Sequence, residues 1–249
     1  MSLRARFESA VWTSPERFSL GGAEFGLLDL SGRPPPPQAL ALFKGRDEVE
    51  AYIEVLDGTP IRNMLELGIF LGGSAALLTI LFEPERLSCI DISGPVEALE
   101  EFRAHHPLGG RIRAHYAASQ HDEARLAAIC EEDFDGPLDL VIDDASHLYA
   151  PSRASFEILF PRLKPRAWYV IEDWQWAHEP GFRLWPDQPA LSNLVFELLM
   201  TCAGRPDLVA KVVVNQGMAF VQKGDAPASD TRLDLGKLYT THGRQFVPI

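Results

Sequence analysis

Short apolar runs alternate regularly with helical segments through the middle of this 249-residue chain. We predict the apolar runs to be strands at residues 63–67, 87–92, 112–117, 138–142 and 168–171. The predicted helices between them are residues 74–82, 95–105, 121–130 and 151–163. Such alternation is typical of a parallel sheet covered by helices on both faces. The middle of the chain is therefore predicted to be a doubly wound α/β fold.

Further elements flank this alternation. Residues 46–56 place their apolar side chains on one stripe, which predicts a helix before the first strand. Residues 191–202 predict another helix, and residues 209–214 and 218–222 predict two strands. The short connection Asn215-Gln216-Gly217 makes these last strands an antiparallel hairpin. The fold class is thus α/β, with a mostly parallel seven-stranded sheet that ends in an antiparallel hairpin.

A proline-rich stretch, GRPPPPQ at residues 32–38, interrupts the chain before the first predicted helix. Proline runs cannot continue a helix or a central strand. We therefore expect an N-terminal arm or cap at residues 1–40, one main domain at residues 41–224 and a polar tail at residues 225–249. Two roles are open for the arm and the tail: they can mediate self-association into a homo-oligomer, or they can close over a pocket.

Composition excludes several partners. The chain has 35 Asp and Glu against 23 Lys and Arg, a net charge of −12, which disfavours nucleic acid and anionic membrane surfaces. Its three cysteines lie far apart, so they suggest neither a disulfide framework nor a four-cysteine zinc site. The longest apolar run, residues 77–82, is too short to span a bilayer. We expect a cytoplasmic protein with a small-molecule partner.

A glycine-rich turn follows the first predicted strand. It reads Glu66-Leu67-Gly68, then Gly72-Gly73-Ser74 at the start of a helix. Glycines permit a tight turn and a close backbone approach, and the helix N-terminus offers N–H groups to a polar ligand. The dinucleotide fingerprint GxGxxG and the phosphate-binding P-loop lysine are both absent, so dinucleotides and nucleoside triphosphates are disfavoured.

An acidic residue, Asp91, ends the second predicted strand. A carboxylate at this position can accept hydrogen bonds from a ribose diol, and Glu66 can serve a cationic amino-acid group. The alternative is structural: the glycines shape an ordinary turn, and Asp91 caps the next helix.

These motifs together resemble the first two motifs of class I S-adenosylmethionine-dependent methyltransferases, closest to small-molecule O-methyltransferases. The resemblance implies a Rossmann-like methyltransferase fold. It also implies that Glu66, Gly68, Gly72, Ser74 and Asp91 line the cofactor site. Ser119 and Gln120, after the third strand, occupy the place where such enzymes hold the adenine, although this loop departs from the acidic form often seen there.

Two acidic pairs end the next two predicted strands: Asp143-Asp144 and Glu172-Asp173. Converging carboxylates repel one another unless a cation lies among them. Oxygen ligands favour Mg²⁺, with Mn²⁺ and Ca²⁺ as alternatives, over Zn²⁺. We expect Asp144, Glu172 and Asp173 to bind the metal, and Asp143 to support them or face the cofactor. The alternative is that these acids cap helices and face water.

His147 follows Asp144 by three residues and can reach the same pocket. An imidazole pKa near 6.5 suits it to remove a proton from a hydroxyl at neutral pH. We therefore expect His147 and Asp144 to be catalytic. His178 follows the second acidic pair, and a role in the site and a surface role are both open for it.

The resemblance extends to these residues. An aspartate with a base three residues later, then an acidic pair, resembles metal-dependent catechol-type O-methyltransferases. Histidine in place of lysine is more similar to the macrocin and mycinamicin sugar O-methyltransferases and to the cephalosporin hydroxylase and rhamnosyl methyltransferase group. The likeness covers residues 63–176 and implies S-adenosylmethionine and a divalent metal as cofactors.

The hypothesis from the sequence is methyl transfer from S-adenosylmethionine to a hydroxyl of a small molecule, such as a sugar of a glycosylated natural product or another vicinal diol. Trp174 and Trp176 are candidates for the wall of an acceptor pocket, with Trp185 further along. Two alternatives remain: another S-adenosylmethionine-binding tailoring enzyme, hydroxylase-like or catechol-type, and a non-catalytic cofactor-binding module.

Overall fold

A computed structural model describes residues 1–28, 39–180, 188–244 and 246–249. Its helices are α1 Leu3–Glu8, α2 Arg46–Leu56, α3 Gly73–Phe82, α4 Glu97–His105, α5 Glu123–Asp133, α6 Tyr149–Leu159 and α7 Ser192–Gly204. Its strands are β1 Val11–Ser14, β2 Arg17–Leu20, β3 Ala23–Leu27, β4 Leu40–Leu42, β5 Asn63–Leu67, β6 Arg86–Ile90, β7 Ile112–His115, β8 Leu138–Asp143, β9 Leu163–Glu172, β10 Val209–Val214 and β11 Met218–Lys223. The proline run and Trp185 lie outside the described residues.

The large sheet has seven strands in the order β10-β11-β9-β8-β5-β6-β7. β5, β6 and β7 pair in parallel, as do β8 and β9, whereas β11 pairs antiparallel with both β9 and β10. Every residue of β8 is buried, as expected for a strand covered on both faces. The predicted α/β fold with its antiparallel end is confirmed.

The chain divides into two compact units, Met1–Ala118 and Ser119–Ile249. The first unit contains a small sheet, β1-β2-β3-β4, that was not predicted from the sequence. The rings of Phe18 and Phe25 stack within it, with centroids 5.0 Å apart. Its strands have three to five residues, too few to produce a clear periodic signal. The predicted boundaries at residues 40 and 224 stay predictions.

Two buried glutamates tie the polar tail to the second unit. Glu157 on α6 accepts hydrogen bonds from the Arg232 guanidinium, at 2.8 Å, and from the N–H of Leu235, at 3.0 Å. Glu197 on α7 accepts a bond from the Tyr239 hydroxyl at 2.8 Å. Buried carboxylates require such donors, so this part of the tail is anchored.

The described helices include none with the length and apolar character needed to cross a membrane.

Candidate functional site

The turn between β5 and α3 depends on glycine at three positions. Gly68 and Gly72 have φ angles of 101° and 83°, in the left-handed region that strains other residues. A Cβ on Gly72 would lie 2.7 Å from the Cβ of Leu99, and one on Gly73 would collide with the Ala41 carbonyl. The glycines therefore form a tight turn, as predicted, and a close backbone approach to a ligand stays a prediction.

Asp91, directly after β6, holds this turn in place. Its Oδ2 accepts the N–H groups of Ile69 and Phe70, both at 2.9 Å, and its Oδ1 accepts that of Ser93 at 2.7 Å. Partial burial raises the pKa of Asp91, but hydrogen bonds from Ser93, Phe70 and Ile69 outweigh it, and the pKa is lowered overall. The Asp91 carboxylate therefore stabilises the glycine turn by accepting hydrogen bonds from its backbone.

Glu66 and Ser74 stand on either side of the same turn. Glu66 is fully buried near the end of β5, and Ser74 is half-buried in the first turn of α3. Contacts of these two residues, and of Gly68, Gly72 and Asp91, with a cofactor stay predictions.

In the second unit, Gln120 and Asp143 are buried in contact with each other. The side-chain amide of Gln120 donates to Oδ1 of Asp143 at 3.0 Å. The hydroxyls of Ser155 and Tyr169 donate to Oδ2 of Asp143 at 2.8 and 3.2 Å. Burial raises the pKa of Asp143 to about 6, against the opposite effect of these hydroxyls. Both predicted cofactor residues thus point into a polar network inside the protein.

Ser119 lies beside this network and is half-buried. Its hydroxyl is 3.1 Å from Nδ1 of His121. The adenine contact predicted for Ser119 stays a prediction.

Asp144, His147 and Asp173 come together after β8 and β9. Each offers a ligand atom within 4.8 Å of those of the other two, and among the described residues this is the group found to be able to hold a metal ion. Nε2 of His147 lies 3.9 Å from Oδ1 of Asp144 and 3.9 Å from Oδ2 of Asp173. The structure thus brings together the predicted base and two of the three predicted metal ligands.

Unusual backbone geometry orients this cluster. His147 and Asp173 have φ angles of 54° and 56°, in a left-handed region that His and Asp adopt more readily than most residues. The N–H of Asp173 donates to the Gly217 carbonyl in the β10–β11 turn at 2.7 Å. Residues held in such conformations by tertiary contacts often occur at functional sites.

Glu172 and Asp143 lie outside this three-residue cluster, so the expected convergence of four carboxylates is not observed. Asp143 is the last residue of β8, and its carboxylate instead accepts hydrogen bonds from Gln120, Ser155 and Tyr169. Glu172 is buried at the last position of β9, and its role as a metal ligand stays a prediction.

Aromatic side chains adjoin the cluster. The ring of Trp176 packs on that of His147, with centroids 4.3 Å apart and planes inclined by 52°. The indole N–H of Trp174 donates to the Asn215 carbonyl at 3.1 Å. Nε2 of His178 instead lies 2.7 Å from the Ser192 hydroxyl. Trp176 thus contacts the predicted base.

Sequence reasoning missed the hydroxyls that hold Asp143. Ser152 and Ser155 occupy one buried face of α6, three residues apart, and Tyr169 is buried within β9. Two small polar residues on the buried face of a helix are a signal that a polar group lies opposite.

Residues 65–174 match a family described as "Methyltransferase domain". A curated relative, the 8-demethyl-8-(2-methoxy-alpha-L-rhamnosyl)-tetracenomycin-C 3'-O-methyltransferase of Streptomyces olivaceus, is 35% identical over 140 residues, which cover 53% of this chain and 33% of that protein. The mycinamicin VI 2''-O-methyltransferase of Micromonospora griseorubida is 55% identical over 47 residues, 19% of this chain and 12% of that one. The chain thus spans about a third or less of the length of these relatives.

A solved structure shares the fold. It is the MycE methyltransferase from the mycinamycin biosynthetic pathway in complex with Mg and SAH, with a TM-score of 0.56 and 29% sequence identity over 72% of this chain and 49% of that one. In sequence and in fold, the chain is therefore similar to class I S-adenosylmethionine-dependent methyltransferases of the group that includes the mycinamicin and macrocin O-methyltransferases.

Proposed function

We propose that this chain transfers a methyl group from S-adenosylmethionine to a hydroxyl of a small molecule, a sugar of a glycosylated natural product. The observation that carries the proposal is the cluster of Asp144, His147 and Asp173, within a chain whose relatives are named as sugar O-methyltransferases. The chain spans only part of those relatives, so the acceptor and the activity of the whole protein are inferred.

The donor atoms of the cluster fit a divalent cation. Carboxylate oxygens are the ligands that Mg²⁺ and Mn²⁺ prefer, and MycE was solved with Mg. We assign Asp144 and Asp173 as ligands, with Glu172 as the third from the end of β9. When bound there, the cation would supply positive charge that lowers the pKa of the acceptor hydroxyl and helps to orient it.

His147 is the general base of the proposed reaction. Its Nε2 takes the proton of the acceptor hydroxyl while the new O–C bond forms and the S–C bond of the methyl donor breaks. The Asp144 and Asp173 carboxylates, each 3.9 Å from Nε2, stabilise the resulting imidazolium. Trp176, packed against the ring, restricts its orientation.

We assign the cofactor to the residues predicted for it, Glu66, Gly68, Gly72, Ser74 and Asp91, and adenine binding to Ser119. Gln120 and Asp143 are engaged with each other in the interior, so we assign them an indirect role in place of direct cofactor contacts.

The test is an incubation of the protein with methyl-labelled S-adenosylmethionine, Mg²⁺ and a panel of glycosides and catechols, with and without EDTA. Label transferred to a glycoside hydroxyl and lost with EDTA supports the proposal. Transfer that survives EDTA contradicts the metal role, and a preference for catechols contradicts the sugar acceptor. Failure to bind S-adenosylhomocysteine in calorimetry contradicts the cofactor assignment.

A further inference from the structure

Gln120 connects the interior of the second unit to the backbone beside His147. Its side-chain oxygen accepts the N–H of Ser146 at 3.0 Å, while its side-chain nitrogen donates to Oδ1 of Asp143 at 3.0 Å. Gln120 is 6% exposed. One buried amide therefore satisfies two polar groups of the same loop region.

Its two neighbours determine which way this amide points. The backbone N–H of Ser146 can only donate, so the Gln120 oxygen faces Ser146 and the Gln120 nitrogen faces Asp143. Oδ1 of Asp143 accepts from Gln120, and its Oδ2 accepts the hydroxyls of Ser155 and Tyr169.

Ser146 in turn fixes the backbone on both sides of His147. Its N–H is held by Gln120, and its hydroxyl accepts the N–H of Leu148 at 3.3 Å. His147 between them has a φ of 54°, a conformation that needs support from its surroundings.

We propose that Gln120 is a positioning residue: it acts through Ser146 to hold His147 and Asp144 in the geometry that binds metal and removes the proton. The inference rests on the proposed methyl transfer at this cluster. Partners that orient metal ligands through hydrogen bonds commonly change metal affinity by roughly 10–100-fold when removed.

The direction of each hydrogen bond allows a reciprocal exchange of the two side chains. Gln120→Glu sets a carboxylate against Asp143. Asp143→Asn keeps an acceptor for the Gln120 nitrogen, because its amide can turn its oxygen to Gln120 and its NH2 to the Ser155 hydroxyl, which accepts as well as donates. In the double variant, the amide at position 143 can instead donate to the carboxylate at position 120, which still accepts from Ser146, while the amide oxygen accepts from Ser155 and Tyr169. The double variant should therefore restore what Gln120→Glu breaks.

Three measurements decide the matter: amide hydrogen exchange at Ser146, Mn²⁺ affinity by electron paramagnetic resonance, and S-adenosylhomocysteine affinity by calorimetry. Gln120→Glu should speed exchange at Ser146 and weaken Mn²⁺ binding roughly tenfold or more, whereas Asp143→Asn should change both less. The double variant should return both close to wild type. S-adenosylhomocysteine affinity should stay within about twofold throughout. Gln222→Glu is the matched control, because this glutamine bonds the Arg166 carbonyl at the protein surface.

Unchanged exchange at Ser146 in Gln120→Glu would overturn the inference. So would a double variant no better than Gln120→Glu, or a loss of S-adenosylhomocysteine affinity with intact Mn²⁺ binding, which would make Gln120 a cofactor contact. A wild-type chain that binds neither Mn²⁺ nor S-adenosylhomocysteine would overturn the proposed function instead, and hydrogen exchange would still report whether Gln120 holds the loop.

Discussion

Nε2 of His147 lies 3.9 Å from Oδ2 of Asp173, and both residues have left-handed backbone conformations. His147 follows β8 and Asp173 follows β9, and these two strands pair in parallel. The base and the carboxylate therefore come together just after the carboxyl ends of two paired strands, each in a left-handed backbone conformation.

Replacing His147 by Ala should abolish most of the methyl transfer, because the other two side chains of the cluster are carboxylates assigned to the metal. We expect turnover to fall by roughly 10²–10⁴-fold, the usual contribution of a general base, with S-adenosylhomocysteine affinity preserved. His105→Ala, an exposed histidine on α4, is the control. Wild-type turnover in His147→Ala would remove its role as base.

Replacing Asp173 by Asn should weaken Mn²⁺ binding, because the site loses one of its anionic ligands. A decrease of roughly tenfold or more is expected, measured by titration with electron paramagnetic resonance. Asp225→Asn changes an exposed aspartate that pairs with Arg166 and should leave the affinity unaltered. Equal affinities for Asp173→Asn and wild type would show that the metal is held elsewhere.

Asp91 should make stability depend on pH in the acidic range. Its pKa is lowered in the folded chain, so the unfolded chain binds more protons as the pH falls below the ordinary value of about 3.9. The stabilisation is present above that value and is lost as the pH falls through the lowered pKa. Urea unfolding at a series of pH values from 6 to 3 measures the free energy of unfolding. The difference in this free energy between wild type and Asp91→Asn should decrease as the pH falls.

The exposed Asp135 provides the comparison for that experiment, because Asp135→Asn should follow the wild-type profile at every pH. If the difference in the free energy of unfolding between wild type and Asp91→Asn stayed constant from pH 6 to pH 3, the stabilising role of the hydrogen-bonded Asp91 carboxylate would be contradicted.

Arg232→Ala should destabilise the chain more than Arg166→Ala does. Arg232 bonds Glu157, whose side chain is 6% exposed, whereas Arg166 pairs with Asp225 at the surface. Hydrogen bonds to a buried charged group contribute about 1.5–3 kcal/mol, and an exposed ion pair about 0–1 kcal/mol. Denaturant midpoints and limited proteolysis within residues 226–240 measure the difference; equal midpoints would refute the anchoring role of Glu157.

The sequence predicted the strands of the large sheet because their apolar runs are continuous, and it predicted where Asp144 and His147 lie because both follow such a run. It predicted Asp173 for the same reason, because this residue follows the next apolar run. It did not predict the left-handed backbone of His147 and Asp173, or the hydrogen bonds that hold Asp143, because their donors lie on other parts of the chain. The β1–β4 sheet could not be predicted either, because its strands are too short to give a periodic signal.

The hydrogen bonds between Asp91 and the glycine turn have a consequence for ligand binding. Because the turn is closed by hydrogen bonds within the protein itself, its conformational entropy is already lost on folding. A ligand that docks on this turn therefore meets a rigid surface and does not bear the ordering cost that flexible loops impose on binding. Release of a spent ligand likewise requires no rebuilding of the turn before the next one arrives.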